Sequence, residues 1–129
     1  MSENQNLAAA AAAAERKIPT YTFTVPESAR RPGDPRVIKI RELTYSEEKA
    51  AMLAKANGGN VFEYEGAMRA IVAFDGKVIT WDEDGKQNAF EALSPKVRDL
   101  LAGGFLKYCL PTKDEREDFF KSVVVEVPA

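Results

Sequence analysis

Apolar and polar residues first alternate at Tyr21, Phe23 and Val25, with Thr22 and Thr24 between them. That is the two-residue period of a half-buried strand, and β-branched threonine suits its wet face. Pro26 ends the run. Residues 26–35 hold three prolines, Gly33 and the pair Arg30-Arg31, which predicts a loop. Residues 36–42, with Val37, Ile38 and Ile40, predict a second extended segment that closes an antiparallel pair with the first. Thr44 then stands three residues before Glu47. In that arrangement the hydroxyl caps one free helical N–H and the glutamate reaches back to another, so a helix is predicted from Tyr45 to about Ala56. Asn57-Gly58-Gly59 supplies its left-handed exit. Val61, Tyr64, Met68, Ile71 and Val72 follow as one stripe of a second helix. An Asp75-Gly76 turn signal competes with its end, since residues 70–74 can instead pair with 78–81 as a hairpin. The pattern alone leaves both readings open.

Ser94-Pro95 predicts the next helix start, because proline at the first helical position gives up an N–H that has no partner anyway. Val97, Leu100, Leu101, Phe105 and Tyr108 share one face beyond it. Gly103-Gly104 costs this helix about 1 kcal/mol per glycine relative to alanine, which predicts a neighbouring element at short range. After Pro111, Thr112 and Glu115 repeat the capping pattern and open a short acidic helix carrying Phe119 and Phe120. Val123, Val124, Val125, Glu126 and Val127 follow as a strand-forming, aggregation-prone run that either completes the N-terminal sheet or docks on a partner. The expected fold is α+β and mainly helical: an N-terminal β-hairpin, three to four short helices and an extended valine-rich C-terminus.

The hydrophobic fraction of 45% is unevenly spread, because Ala8 to Ala14 form an unbroken alanine run. Residues 1–17 contain no bulky apolar residue except Met1 and Leu7 and cannot bury a core face. They are expected to be disordered or transiently helical, with residues 18–129 as a single domain. The arm does not read as a signal peptide, since its first residues are polar and alanine is too weakly apolar for an export segment.

Charge and residue census narrow the function classes. The chain has 129 residues, 18 Lys+Arg against 20 Asp+Glu, one cysteine and no histidine. Histidine-based catalysis, an imidazole metal ligand, an internal disulfide and an all-cysteine zinc site are therefore excluded. A net charge of −2 argues against nucleic-acid binding, which needs a clustered cationic face. No run approaches the ~18 apolar residues of a membrane span, so a soluble, intracellular protein is expected.

Asp82-Glu83-Asp84-Gly85 lacks the alternating ligand register of a calcium loop and reads as a solvated acidic turn. Cys109 has no histidine base nearby in sequence or anywhere else and reads as a packing residue. The glycine pairs match no phosphate-binding fingerprint. Arg30, Arg31 and Arg36 form a local basic loop beside Asp34, and Trp81 reads as a core residue ahead of an interface anchor. An acid–base site would have to join Glu63, Glu65 or Asp82 with a cation in a cleft. No enzyme, metal or cofactor is expected, and a protein that binds other proteins is.

Four short motifs sharpen that expectation. Arg41-Glu42-Leu43-Thr44 leads into the first helix, and Met68-Arg69-Ala70-Ile71-Val72 precedes Asp75-Gly76-Lys77. Ser94-Pro95-Lys96-Val97-Arg98 and Glu117-Asp118-Phe119 before the valine-rich end complete the set. In this order, over roughly residues 36–127, the chain resembles the tail assembly chaperones of long-tailed bacteriophages. The resemblance implies a small, mostly helical, non-catalytic viral protein of the host cytoplasm. It implies the tape measure protein as partner, with the tail tube protein as a second candidate. The contact surface expected on that basis is Leu101, Phe105 and Tyr108 together with Phe119 and Phe120. The alternative is a small structural or connector protein resident in the virion, whose two ends are ordered by neighbouring subunits.

Overall fold

A computed structural model of the chain describes residues 18–80 and 85–128. The expectations for residues 1–17, for Trp81 and for the acidic run 82–84 lie outside the described residues. The threonine-flanked alternation forms β1 (Thr20–Thr24), and the run after the proline-rich loop forms β2 (Val37–Arg41). The two pair antiparallel, with Tyr21 opposite Ile40 and Phe23 opposite Ile38. β3 (Ile71–Phe74) lies on the other side of β2, and β4 (Lys77–Val78) folds back on β3. The sheet is thus four-stranded, antiparallel and ordered β1-β2-β3-β4. A bulge between Lys39 and Ile40 sets Phe74 against Ile38 and Ile71 against Ile40.

The stretch with two readings resolves into both in succession. Helix α2 (Phe62–Ala70) stops at Ile71, which turns to φ −57°, ψ 130° and enters β3. Asp75 and Gly76 both take positive φ, 51° and 79°, the left-handed pair that a two-residue hairpin between right-twisted strands needs. Asp75 Oδ1 also accepts the N–H groups of Arg36 and Val37 at 2.9 Å, so the turn is fastened to the start of β2.

The remaining helices are α1 (Tyr45–Ala56), α3 (Gly85–Glu91), α4 (Pro95–Cys109) and α5 (Lys113–Lys121). Helix takes up about 49% of the described residues and strand about 15%, an α+β fold with a helical majority. The reciprocal caps form at both expected sites, Thr44 with Glu47 and Thr112 with Glu115. Ser94 precedes α4 as expected but caps nothing. Its hydroxyl instead donates to Asp34 Oδ2 at 2.6 Å, and its N–H to Asp34 Oδ1 at 3.0 Å.

One face of the sheet is covered by α2 and α4, while Thr20, Thr22, Thr24 and Lys39 face away. The core joins Ile38, Ile40 and Ile71 from the sheet to Met68, Phe90, Val97, Leu101 and Phe105 from the helices. Each such side chain contributes about 1.5–3 kcal/mol on leaving water. Two glycines permit the close crossings. A Cβ on Gly66 would lie 2.5 Å from Phe105 Cζ, and one on Gly104 would lie 3.0 Å from Phe23 Cζ. The close neighbour expected from Gly103-Gly104 is therefore the β1 phenylalanine, met by the second glycine alone. Among the described residues no helix is long and apolar enough to cross a membrane.

The C-terminal end departs from one expectation. Residues 123–128 join no strand, and every residue from 111 to 128 is exposed. The valine-rich run does not complete the sheet, because α5 buries nothing and leaves it outside the core.

Candidate functional site

The charged groups buried among the described residues, Asp34, Glu65 and Lys86, serve the architecture. Asp34 receives the N–H of Arg31 at 2.8 Å as well as both Ser94 donors, which closes the proline-rich loop onto the start of α4. Burial acts to raise its pKa, but the Ser94 hydroxyl and the backbone donors outweigh that and hold it below the usual carboxylate range. Arg30 donates to the Asp34 carbonyl at 3.0 Å and pairs with Glu27 at 2.9 Å, so this arginine of the basic loop is answered from within. Glu65 pairs with Arg69 at 2.7 Å and accepts the Asn60 N–H at 3.1 Å, binding α2 to the loop before it. Lys86 donates to the Arg69 carbonyl at 2.8 Å, at the negative end of the α2 dipole, while burial pushes its pKa down.

Arg41 holds Glu47 through two bonds of 2.7 Å. Burial works to raise the Glu47 pKa, but this fork and the Thr44 cap overcome it and hold it at about 2. Burial beside Glu42 pushes the Cys109 thiol up to about 11, the opposite of nucleophile activation, which agrees with a packing role. Among the described residues no cluster of three acidic or cysteine side chains could hold a metal ion.

The apolar surface is distributed differently from the sequence expectation. Leu101 and Phe105 are 3% and 1% exposed and belong to the core, so they form no contact surface. They share a helical face with Val97, and that face packs on the sheet and on Gly66 of α2. Tyr108 lies at the edge of this face, half-exposed, with its ring centroid 5.5 Å from Tyr21 and 5.6 Å from Phe23. Phe119 and Phe120 are the expected residues that stand free, at 73% and 65% exposure. They meet edge to face with centroids 5.9 Å apart, on a helix otherwise made of charged residues.

Sequence reasoning missed two further exposed apolar groups. Leu100, on the outer side of α4, borders a cleft of about 220 Å³ with Phe23, Val25, Pro26 and Val97. Tyr45, Met52 and Leu53 project from α1, and Met52 approaches Phe62, Leu110 and Arg116 in a shallow groove. The signal for the latter was present, since Tyr45, Met52 and Leu53 recur within a helix whose other positions are small or charged. What the arrangement offers chemically is apolar contact framed by acidic and basic side chains. Comparison of the chain with protein-family models, with curated proteins and with solved structures finds no match.

Proposed function

We propose that the chain is a tail assembly chaperone of a long-tailed bacteriophage, which covers apolar helical faces of the tape measure protein until tube subunits displace it. The observation that carries this reading is the C-terminal segment: an acidic helix presenting Phe119 and Phe120, followed by Val123, Val124, Val125 and Val127, all exposed. Such a segment can cover an apolar helix while its charges keep the complex in solution. The four sequence motifs that resemble the family's point the same way. Contacts made by a few exposed side chains on a peripheral helix are individually weak, which suits a partner that must later be displaced. The chaperone acts in the host cell cytoplasm before the particle is complete.

The test is co-expression with the tape measure protein encoded nearby. The tape measure is expected to stay in the soluble fraction and to co-purify, and a Phe119→Ser, Phe120→Ser double substitution to abolish both effects. No gain in solubility and no complex would refute the proposal. A second reading, a connector protein resident in the virion, draws on the unpaired residues 123–127, which neighbouring subunits could order. Mass spectrometry of purified particles separates the two, because a chaperone is missing from finished virions.

A further inference from the structure

β1 begins at Thr20, and the chain before it does not leave the sheet at once. The Pro19 carbonyl accepts the Glu42 N–H at 3.2 Å, which carries the β1–β2 register one step further. The next step sets Ile18 beside Leu43 and directs the preceding chain toward Thr44, the N-cap of α1. Residues 1–17 lie beyond that point, among them the alanine run 8–14 and the basic pair Arg16-Lys17.

An open apolar groove starts at the same corner. Glu42 and Leu43 border a cleft of about 290 Å³ together with Glu48, Phe62 and Leu110. The last three also line the shallow groove of about 440 Å³ in which Met52 and Lys55 of α1 face Arg116 of α5. Helix α5 therefore stays near its own body and forms the far wall of the groove. Met52, on the near wall, is 57% exposed. The corner itself is acidic. Glu42 accepts the Tyr21 hydroxyl at 2.7 Å, Glu48 borders both hollows, and Glu115 acts electrostatically on Tyr21. Arg41 is already paired with Glu47 and does not neutralise it.

We propose that the N-terminal arm of the chain docks in this groove as a helix antiparallel to α1, with its alanines against Met52, Phe62 and Leu110. Position, length and charge all select this occupant. The register delivers the arm at the N-terminus of α1, and residues 15–17 easily span the roughly 6 Å from Thr44 to Glu48. Seven alanines in a helix are about 10 Å long, the distance along α1 from Glu48 to Lys55. Arg16 and Lys17 fall at the acidic corner beside Glu42 and Glu48, and methyl side chains let two helices approach closely over a shallow floor. Such a helix is too short to persist alone in water, so its stability comes from the groove. The tether favours the chain's own arm over that of a second copy, because a short linker holds it at an effective concentration of about millimolar. This inference does not depend on which protein the chain serves.

The test is solution NMR on the full chain with labelled methionine methyl groups and backbone amides. Met52 and the buried Met68 report the groove and the core separately. The Met52 methyl is expected to show contacts to alanine methyls of residues 8–14. Ala11→Pro breaks the arm helix and should remove those contacts and shift the Met52 signal, while the Met68 signal stays in place. Met52→Lys alters an exposed side chain and should speed amide exchange of residues 8–14 by about tenfold or more, with an unchanged cooperative melt. A Met52 signal indifferent to Ala11→Pro, or arm amides that exchange equally fast in wild type and Met52→Lys, would overturn the proposal. So would arm contacts that fade on dilution through the micromolar range, since they would place the arm of a second copy in the groove.

Discussion

Replacing Gly66 by alanine tests a close packing contact between two helices. The new Cβ would stand 2.5 Å from Phe105 Cζ and 2.6 Å from Cε2, where carbon–carbon contact needs about 3.5 Å or more. The Phe105 ring is 1% exposed and held within the core, so it cannot swing into solvent, and the α2–α4 crossing must open instead. Overpacking of this kind costs about 1–3 kcal/mol, against a gain of about 1 kcal/mol from placing alanine in a helix interior. The balance is a net loss of up to about 2 kcal/mol, where alanine without the clash would gain about 1 kcal/mol. Gly103 provides the reference, because a Cβ there meets nothing within 4 Å. Gly103→Ala should therefore stabilise by about 1 kcal/mol through helix propensity alone. Gly104→Ala, 3.0 Å from the Phe23 ring edge, should fall between them. Thermal and urea melts read the order directly, with roughly 4–8 °C per kcal/mol for a domain of this size. A Gly66→Ala protein as stable as Gly103→Ala would refute the argument, since both changes carry the same propensity gain.

Glu47 supplies a pH signature: its folded pKa of about 2 lies below the ordinary carboxylate value of 4.5, so its contribution to stability is complete above that value and is lost as pH falls toward 2. Urea melts between pH 5 and 2 should show Glu47→Gln with a shallower acid decline than wild type, and parallel curves would contradict the Arg41 pairing. Cys109, with its thiol near 11, should be about one-thousandth thiolate at pH 8 and react with a thiol reagent far more slowly in the folded protein than in urea, whereas equal rates would place it outside the core. Removing the chain from Lys113 onward deletes no buried side chain among the described residues and should leave stability within about 0.5 kcal/mol of wild type, and loss of a cooperative melt would make this end part of the core.

Local chemistry was legible where it was self-contained. The capping pairs Thr44–Glu47 and Thr112–Glu115 located two helix starts because both partners lie within one turn. The β1 alternation was equally plain. The α2–β3 junction was not, because Ile71 and Val72 continue the helical stripe in sequence. What draws them into a strand is Ile71 against Ile40 and Phe74 against Ile38, pairings more than thirty positions distant. Helix α3 was missed, since its seven residues start at Gly85 and bury only Lys86 and Phe90, too few to set a period. On α4 the stripe of Val97, Leu101 and Phe105 was read correctly, but Leu100, assigned to it, lies on the outer side, and what covers the stripe was not legible. Periodicity gives the same stripe whether its neighbour is β1 and α2 or another protein, and so Leu101 and Phe105 were expected at a surface. Phe119 and Phe120 could be placed outside because their helix is too charged to bury any face.

The Asp34–Ser94 bonds also bear on how the domain forms. They join positions 60 residues apart, and the carboxylate is useful only once α4 has reached the sheet. During synthesis the β1–β2 hairpin emerges with Phe23, Ile38 and Ile40 uncovered, and their lid is among the last parts of the chain to follow. If the bonds close after the main barrier, substitution of Asp34 accelerates unfolding and leaves the folding rate nearly unchanged, which stopped-flow kinetics reads directly. In that case the latch sets how long the folded molecule lasts rather than how quickly it arises.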